Sequence, residues 1–408
     1  MPDRFEAEVN TDKVKRAEMV VCIPSYNEAD SISYPTEQAS KGLSRYFADR
    51  SSVIINCDNN SPDNTRQVFL DTPTEVPKIY LSTPPGVKGK GNNFRNLFRK
   101  VVELKAKAVV VVDADLKSIT PEWIKHLGEP LFQGFSYVAP LYVRHKYDGT
   151  ITNGISYPVT RALYGRRVRQ PIGGDFGFSG KLGKVYLESQ FWDESVANFG
   201  IDIWMTTLAI NQKVPICQSF MGRPKIHRTK DPGTHLGPMF RQVVGTIFSM
   251  MEPFEPFWTK VKYSRPTAIY GFGLGEVEMP PKVEVDTENL LNKFHAGFKE
   301  YGEVWKEILT EDVHRKLQEI IHMKMSLFDF PTDLWARVLF DVAVAYRDRV
   351  VERDLRMDSL IPLYFGRTLS FVRKTRRMTI KQAEDTIEDD CMTFEMTKPY
   401  LLQRWRSS

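Results

Sequence analysis

Residues 107–116 read Lys-Ala-Val-Val-Val-Val-Asp-Ala-Asp-Leu, and they are the strongest single indication of the fold. Four consecutive valines beside an alanine are typical of a strand buried on both faces, as in a parallel sheet covered by helices. Asp113 and Asp115 follow at once. Neighbouring carboxylates repel each other and are costly to bury, so such a strand end usually opens onto water or a cation. A hard divalent cation suits these oxygens, although the pair alone is more simply a solvated strand end or a helix cap.

The composition is that of an ordinary folded protein. The chain has 408 residues, of which 42% are hydrophobic and 26% charged, and its formal net charge is +5. This mild charge does not indicate a nucleic-acid partner, and the length predicts one large domain or two domains. No stretch approaches the ~20 apolar residues of a membrane helix, and the first residues lack the apolar core of a signal peptide. We therefore expect a cytoplasmic protein with neither a membrane nor a nucleic-acid partner.

Strand and helix patterns alternate four times in the first part of the chain. Strands are predicted at 18–24, at 53–58, near 79–81 and through the valine run, and Cys22 and Cys57 are expected to be buried thiols within them. Right-handed crossovers between such strands give a parallel sheet, whose ligands bind at the carboxyl ends of the strands. Polar loops follow each of these strands, so we expect them to line one common site.

Three segments are predicted along the chain. Residues 1–17 are polar and are expected to form a short arm, whereas residues 18–240 hold the α/β sheet. Residues 241–408 are expected to be mainly helical, because amphipathic stretches recur at 290–309, 312–325 and 331–351.

Further motifs could line the carboxyl end of the sheet. Lys90 lies between two glycines, which suits a phosphate as well as a simple turn. Residues 170–175, Gln-Pro-Ile-Gly-Gly-Asp, permit a tight backbone course beside a ligand or a plain structural turn. Asp202 begins a helical run, either as a helix-terminal acid or close to an acceptor hydroxyl. His227 lies in a basic segment that could hold phosphates and add a nitrogen ligand to the cation, the alternative being a solvated loop.

In their order along the chain, these residues resemble the GT-A nucleotide-sugar glycosyltransferases. The likeness is greatest to the retaining group that makes mannosylglycerate, glucosylglycerate and glucosyl-3-phosphoglycerate. It implies a Rossmann-like α/β fold, with a mostly parallel central sheet flanked by helices and a mainly helical C-terminal region. The motifs that carry the resemblance are Pro24-Ser25-Tyr26-Asn27-Glu28, Asp58, Gly89-Lys90-Gly91, Asp113-Ala114-Asp115, Gln170-Pro171-Ile172-Gly173-Gly174-Asp175, Gly200-Ile201-Asp202 and His227-Arg228.

The resemblance implies that the chain binds a nucleotide sugar, a divalent cation and a small acceptor. The residues implied to hold the nucleotide are Pro24, Ser25, Tyr26, Asn27, Glu28, Asp58, Lys90, Asp113 and Ala114. The residues implied to ligate Mg²⁺ or Mn²⁺ are Asp115 and His227. The residues implied to contact the sugar or the acceptor are Ile172, Gly173, Gly174, Asp175, Arg144, Asp202 and Arg228, of which Ile172, Gly173 and Asp202 would lie at the reacting centre.

The implied function is metal-dependent, retaining transfer of glucose or mannose from a GDP- or UDP-sugar to D-glycerate, giving a compatible solute. The relatives that use a phosphorylated acceptor have an Arg in the acceptor loop and an Asn after the metal histidine. This chain has Asn153-Gly154 and Thr229 at those places, which favours free glycerate. The relatives also imply a homodimer formed through the C-terminal region.

Other functions stay open. They are glucosyl-3-phosphoglycerate synthesis, inverting transfer of the family-2 type to a larger acceptor, and a catalytically silent scaffold that binds nucleotide. The intact acidic and histidine motifs argue against the scaffold. A sugar nucleotidyltransferase is disfavoured, because its glycine-rich loop after the first strand is replaced here by residues 24–28.

Overall fold

The chain divides into an α/β unit and a helical unit. The computed structural model describes residues 7–227, 232–271 and 278–407. Within them, the α/β unit comprises 7–144, 169–227, 267–271 and 278–280, and the helical unit comprises 145–168, 232–266 and 281–407. Because 145–168 belong to the helical unit, the division does not follow a single boundary near residue 240.

The secondary structure follows the predicted alternation. The described strands are β1 (Ala7–Val9), β2 (Met19–Ser25), β3 (Ser52–Asp58), β4 (Lys78–Ser82), β5 (Ala108–Val111), β6 (Tyr137–Leu141), β7 (Phe176–Ser179), β8 (Ile216–Phe220) and β9 (Ala268–Tyr270). The described helices are α1 (Ser33–Tyr46), α2 (Thr65–Asp71), α3 (Lys90–Glu103), α4 (Pro121–Phe132), α5 (Tyr157–Tyr164), α6 (Gly180–Glu188), α7 (Ile201–Asn211), α8 (Pro232–Ser249), α9 (Glu255–Trp258), α10 (Thr287–Ile308), α11 (Glu311–Ile321), α12 (Thr332–Arg347), α13 (Arg353–Thr375) and α14 (Ile380–Ser407). A π-helical turn, Thr152–Ser156, precedes α5, and a 3₁₀ turn, Met325–Leu327, precedes α12.

The strands form one mostly parallel sheet in the order β1-β4-β3-β2-β5-β7-β6-β8-β9. Among the described strands, β1 and β7 run antiparallel to their neighbours and the other pairings are parallel. The predicted α/β fold with a mostly parallel sheet is therefore confirmed. The arm predicted over residues 1–17 contains a strand, β1, because Ala7–Val9 pairs with the edge of β4.

Apolar side chains pack on the sheet in two clusters. Val110 of β5 lies in a core that includes Trp123 of α4, and both side chains are almost completely buried. Phe98 of α3 lies 5.7 Å from Phe178 and 6.5 Å from Trp204, measured between ring centroids. Each large apolar side chain buried in this way stabilises the fold by about 1.5–3 kcal/mol. Cys22 and Cys57 are buried in the sheet, as predicted.

The strand register brings several carboxyl ends to one level. Ser25 of β2 is paired with Asp58 of β3, so the two strands end side by side. Cys22 of β2 is paired with Val111 of β5, and the Val112 N–H donates to the Cys22 carbonyl at 3.0 Å. The loops after these three strands consequently open on the same end of the sheet, where the sequence predicted the site.

Long helices pair within the helical unit, and its buried charges are satisfied there. α10 packs against α13, α12 against α14, and α14 against α5. Arg161 is almost completely buried, and its guanidinium lies 2.5 Å from both Glu388 and Glu395. The buried Lys398 donates to the carbonyls of Trp258 at 2.6 Å and Val261 at 2.7 Å. The predicted helical character of this part of the chain is confirmed. None of the helices in the described residues has both the length and the apolarity needed to cross a bilayer.

Candidate active site

Two lysines and three aspartates form a buried ionic cluster at the carboxyl end of the sheet. Lys90 Nζ lies 3.1 Å from Asp113 Oδ1 and 3.3 Å from Asp202 Oδ1. Lys225 Nζ lies 2.6 Å from Asp113 Oδ2 and 3.0 Å from Asp175 Oδ2. The ionic cluster joins the starts of α3 and α7, the end of β5 and the loop before β7. It therefore brings together four motifs that were predicted from the sequence to line one site, those of Lys90, Asp113, Asp175 and Asp202.

Charge pairing outweighs burial at most members of the ionic cluster. Burial alone would raise the pKa of Asp113, but the ammonium groups of Lys225 and Lys90 hold that pKa far below its ordinary value. Asp175 is the exception, because there burial dominates and raises the pKa, opposed by the charge of Lys225 and helped by that of Asp113. Burial would lower the pKa of both lysines, yet the carboxylates raise them, Asp113 acting on each. Asp113, Lys90 and Lys225 are consequently charged at neutral pH.

The glycines on either side of Lys90 let α3 begin against the loop before α7. A Cβ atom on Gly91 would stand 1.9 Å from the Val196 carbonyl oxygen, and one on Gly89 would stand 2.3 Å from that of Ala197. The two glycines thus allow a close approach to the protein's own backbone, whereas the sequence suggested that they could allow a close approach to a phosphate. This contact between α3 and the loop before α7 brings Lys90 to the start of α7, the helix that carries Asp202.

The loop before β7 lies directly on the ionic cluster. The Gly174 N–H donates to Asp202 Oδ2 at 2.9 Å, and the Gly173 carbonyl accepts from Lys225 Nζ at 2.7 Å. Asp175 Oδ1 accepts from the Asp113 N–H at 2.9 Å, and the Tyr142 hydroxyl donates to Asp175 Oδ2. Asp175 is completely buried by these contacts. Both oxygens of the Asp175 carboxylate are therefore bonded to protein groups, whereas the sequence predicted that this side chain would face the sugar or the acceptor.

Asp58 is also satisfied by the protein itself. Its Oδ1 accepts from the hydroxyls of Ser25 at 2.8 Å and Ser61 at 2.7 Å. Its Oδ2 accepts from the Ser61 N–H at 2.7 Å and from the Tyr80 hydroxyl at 3.0 Å. Four hydrogen bonds fill the acceptor capacity of a carboxylate, and Asp58 is completely buried. Its contacts therefore shape the loop after β3, where the sequence analysis expected a direct hydrogen bond to the nucleoside.

The loop that follows Pro24 is held by the loop after β3. Asn27 has a left-handed backbone conformation with φ of 56°. Its N–H donates to Ser61 Oγ, and the N–H of the buried Glu28 donates to Thr65 Oγ1, each at 2.9 Å. These backbone donors face the protein, so the side of this loop that is left for a ligand is the one that carries the half-buried ring of Tyr26.

Asp115 and His227 lie on neighbouring backbone segments. Leu116 pairs with His227 in an isolated antiparallel bridge, and the Lys117 N–H donates to the Ile226 carbonyl at 2.8 Å. Asp115 is buried, as is the preceding Ala114, and His227 is exposed. A carboxylate and an imidazole on adjacent segments are a donor set that fits Mg²⁺ or Mn²⁺.

The protein itself would supply few ligands to such a cation. Across residues 7–227, 232–271 and 278–407, no three histidine, cysteine, aspartate or glutamate side chains are grouped as a metal site. With two protein ligands, the cation would take its remaining ligands from a bound diphosphate and water, as Mg²⁺ commonly does.

Arg144 and Ile172 lie close to the ionic cluster by different routes. Arg144 follows β6, and its guanidinium carbon lies 5.2 Å from the centre of the Tyr142 ring. Ile172 is half-buried and directly precedes Gly173 in the loop before β7. Arg228, the remaining residue assigned to the sugar or the acceptor, lies outside the described residues, as does Thr229.

The residues expected to mark the acceptor loop lie in the helical unit. Asn153 and Gly154 belong to the π-helical turn before α5. The Gly154 carbonyl accepts a hydrogen bond from Trp335 Nε1 at 2.8 Å. This contact is internal to the helical unit, and it assigns the turn a packing role there.

Four side chains that hold the site together, those of Lys225, Tyr142, Asn59 and Asn93, were not predicted from the sequence. Lys225 lies in the basic segment around His227, but nothing in that segment distinguishes it from its neighbours. Tyr142 carries no sequence signal. Asn59 Oδ1 accepts from the Gly89 N–H at 3.0 Å, and its Nδ2 donates to Asn93 Oδ1 at 2.7 Å. These two asparagines fix the turn that presents Lys90, and only the polar run after β3 could have indicated Asn59.

The chain matches one sequence family. The model of glycosyl transferase family 2 matches residues 20–188, which run from β2 to the end of α6 and include Lys90, Asp113 and Asp175 of the ionic cluster. No curated protein sequence matches the chain.

Several solved structures are similar to the chain. One is glucosyl-3-phosphoglycerate synthase from Mycobacterium tuberculosis in complex with Mn²⁺, uridine diphosphate and glucosyl-3-phosphoglycerate, at 23% identity and a TM-score of 0.45, covering 57% of this chain and 79% of that one. The same enzyme with Mn²⁺, UDP-glucose and phosphoglyceric acid matches at 22% identity and a TM-score of 0.43, with the same coverage. A mycobacterial protein matches at 20% identity and a TM-score of 0.45, covering 58% of this chain and 74% of that one.

Proposed function

We propose that the chain transfers a hexose from a nucleoside-diphosphate sugar to D-glycerate, with retention of configuration and with a divalent cation. The match of residues 20–188 to the model of glycosyl transferase family 2 supports the glycosyl transfer. The observation that carries the proposal is the ionic cluster. It gathers Lys90, Asp113 and Asp202 at the carboxyl end of a parallel sheet, where α/β folds bind their ligands.

The nucleoside is proposed to bind along the loops after β2 and β3. The half-buried Tyr26 ring lies under the Lys88 ammonium, 4.8 Å from Nζ to the ring centre, and offers a flat face to a base. Pro24 and Ser25 end β2 beneath this loop. Asp58 holds the end of β2 in place by accepting a hydrogen bond from the Ser25 hydroxyl.

The diphosphate is proposed to meet Lys90 and a cation held by Asp115 and His227. A divalent cation supplies electrostatic stabilisation of the negative charge that develops on a departing diphosphate. Lys90 adds a fixed positive charge on the same side, and its two carboxylate neighbours keep it oriented. Asp113, which already faces both lysines, is suited to contact with the ribose.

The sugar is proposed to lie against Ile172, Gly173 and Gly174. The backbone of this loop is tied to Asp202 by the Gly174 N–H, so a sugar bound there stands beside the start of α7. Asp202 is suited to orient a hydroxyl of the sugar or the acceptor, because one of its oxygens faces Lys90 and the other faces the loop.

The acceptor carboxylate is proposed to pair with Arg144. A planar guanidinium binds two carboxylate oxygens at once, and Arg144 lies over Tyr142, which contacts the sugar loop. Free glycerate is preferred over 3-phosphoglycerate as the acceptor, because Asn153-Gly154 and Thr229 stand where the relatives that use a phosphorylated acceptor have Arg and Asn. The cytoplasmic location and the homodimer remain predictions.

A second candidate is inverting transfer to a larger acceptor. The family match agrees equally with this candidate, because it covers the nucleotide-binding half of the site without distinguishing the stereochemical course. The anomeric configuration of the product separates the two candidates.

The test is a release assay with the purified protein and Mn²⁺ or Mg²⁺. UDP- and GDP-glucose and -mannose are combined with D-glycerate, 3-phosphoglycerate and lactate, and nucleoside diphosphate is quantified. The proposal expects release with one preferred donor and with glycerate. Donor binding without acceptor-dependent release from any pair would contradict it and would favour a larger acceptor or a silent scaffold.

A further inference from the structure

We infer that Lys225 is a positioning residue, which holds the proposed sugar loop against Asp113. This rests on the proposed function, because it takes residues 172–174 to be the sugar-binding segment. Lys225 is not among the residues that the sequence analysis assigned to the site. Its place in the ionic cluster gives it a task that neither Lys90 nor the proposed metal ligands perform.

Three acceptors surround the Lys225 ammonium group. They are the Gly173 carbonyl oxygen at 2.7 Å, Asp113 Oδ2 at 2.6 Å and Asp175 Oδ2 at 3.0 Å. The contacts with Gly173 and Asp113 are hydrogen bonds and the contact with Asp175 is an ion pair, so three protein groups share this ammonium group. Only 6% of the side chain is exposed. Lys225 is therefore arranged to hold protein groups together, whereas a lysine meant for phosphate would keep a donor facing the ligand.

Removing this charge would leave a specific defect. Asp113 and Asp175 are in contact through the Asp113 N–H, and Lys225 is the cation that both carboxylates share. Without it the two negative charges repel each other across a buried contact. The Tyr142 hydroxyl, whose one proton is shared between Asp175 and the Gly173 carbonyl at 3.1 Å, would still anchor this loop, so we expect the loop to shift rather than to unfold.

The loop before β7 lies in direct contact with Asp113 and Lys225. Gly174 has φ of +79°, and a Cβ atom there would stand 2.2 Å from Asp113 Oδ2 and 2.6 Å from Lys225 Nζ. The backbone thus rests directly on the two charged groups. A shift of either group moves the peptide that donates to Asp202, and with it the surface proposed to receive the sugar.

Lys225 itself is fixed by the segment that carries His227. The neighbouring Ile226 N–H donates to Ser118 Oγ at 2.8 Å, and its carbonyl accepts from Lys117. The same short segment therefore supports the sugar loop through Lys225 and presents His227 on the cation side. Within the described residues, Lys225 makes no hydrogen bond or ion pair with the loops after β2 and β3. Asp113, the proposed ribose contact, would keep its ion pair with Lys90 at 3.1 Å, so loss of Lys225 should affect sugar binding more than nucleotide binding.

The experiment compares Lys225→Met with Lys100→Met. Lys100 is the matched control, since its side chain is only 1% exposed and its ammonium pairs with Glu8 at 2.6 Å and Glu103 at 2.8 Å, outside the ionic cluster. Calorimetry measures the affinities of UDP and UDP-glucose with Mn²⁺, with the GDP pair run in parallel, and the release assay gives kcat and KM. Circular dichroism establishes that each variant is folded.

We expect Lys225→Met to bind UDP within about twofold of the wild type and to lose the added affinity for the sugar. Its kcat should fall at least tenfold, as expected for a misplaced reacting group. Lys100→Met should keep the wild-type values. The inference is wrong if Lys225→Met and Lys100→Met have the same affinity for UDP-glucose and the same kcat. It is also wrong if Lys225→Met loses affinity for UDP itself, so that the loss does not depend on the sugar. In the latter case Lys225 would be a diphosphate ligand.

Lys225→Arg covers the case in which the methionine variant does not fold. It keeps the charge, but a planar guanidinium does not match three convergent acceptors around one atom. The inference expects UDP affinity to be retained and sugar affinity and kcat to fall, and wild-type values would overturn it. A wild-type protein that neither binds nor cleaves any of these sugar nucleotides would instead contradict the proposed function.

Discussion

The Gly174 backbone rests on the Asp113 carboxylate so closely that a Cβ atom would stand 2.2 Å from Asp113 Oδ2. Gly174 also has a left-handed φ of +79°. Gly174→Ala should therefore displace the loop before β7 and lower turnover by about 10- to 100-fold. Steady-state kinetics in the release assay measures this effect.

Gly134→Ala is the control for backbone strain alone. Gly134 has φ of +99°, but a Cβ atom there meets nothing within 4 Å. It should lose about 1–2 kcal/mol of stability from the left-handed conformation and keep its turnover. Equal turnover losses in the two variants would show that strain, and not the contact with Asp113, explains the effect.

Asp115→Ala should abolish metal-dependent binding of the donor without unfolding the protein. Loss of a direct ligand is expected to cost more than the about 10–100-fold attributed to outer-shell partners. Titration of Mn²⁺ into protein and nucleoside diphosphate, followed by electron paramagnetic resonance, measures the change. An unchanged Mn²⁺ affinity in this variant would remove Asp115 from the proposed ligand set.

Asp58→Ala should act on stability. It strips the partner from the hydroxyls of Ser25, Ser61 and Tyr80, all of which donate to the buried carboxylate. The expected loss is about 2–4 kcal/mol in the free energy of unfolding. Urea denaturation measures it, with Asp49→Ala as the control, since the Asp49 side chain is 74% exposed. A loss equal to that of the control would mean that these hydrogen bonds contribute little.

The buried Lys398 should give the helical unit a pH-dependent stability. Burial lowers the pKa of Lys398 to about 8, from an ordinary value of 10.5. Between these values the unfolded chain binds more protons than the folded one, so the free energy of unfolding rises with pH. Relative to Lys398→Met, the wild type should gain about 1–2 kcal/mol between pH 7.5 and 9.5. Denaturation of both proteins at the two pH values measures this, and a constant difference would contradict the lowered pKa.

The sequence predicted the sheet and the meeting of its motifs because both follow from periodicity. A valine run buried on both faces indicates a largely parallel sheet covered by helices, and parallel strands bring their carboxyl-end loops together. Lys90 and Asp113 meet for this reason, because they follow the parallel strands β4 and β5. Asp202 joins them from the start of α7, which comes after another helix and not directly after a strand. The match of residues 20–188 to the model of glycosyl transferase family 2 agrees with the glycosyltransferase expected from those motifs.

The tasks of individual carboxylates could not be predicted in the same way. Asp58 and Asp175 have the residue type of ligand-binding acids, but whether their oxygens are already bonded depends on Tyr80 and Tyr142, which come from other strands or loops. Lys225 was hidden for the same reason, because its three acceptors converge only in the folded chain. The turn at 152–156 joins the helical unit through contacts that local sequence does not encode.

The most direct test of the central claim is to observe the product. The protein is incubated with Mn²⁺, UDP-glucose labelled with ¹³C at the anomeric carbon, and D-glycerate, and the labelled carbon is followed by NMR. The account predicts a single new glucoside of glycerate whose anomeric signals have the same α configuration as the donor. A β-configured product, or no glycerate glucoside while another acceptor is glycosylated, would contradict it.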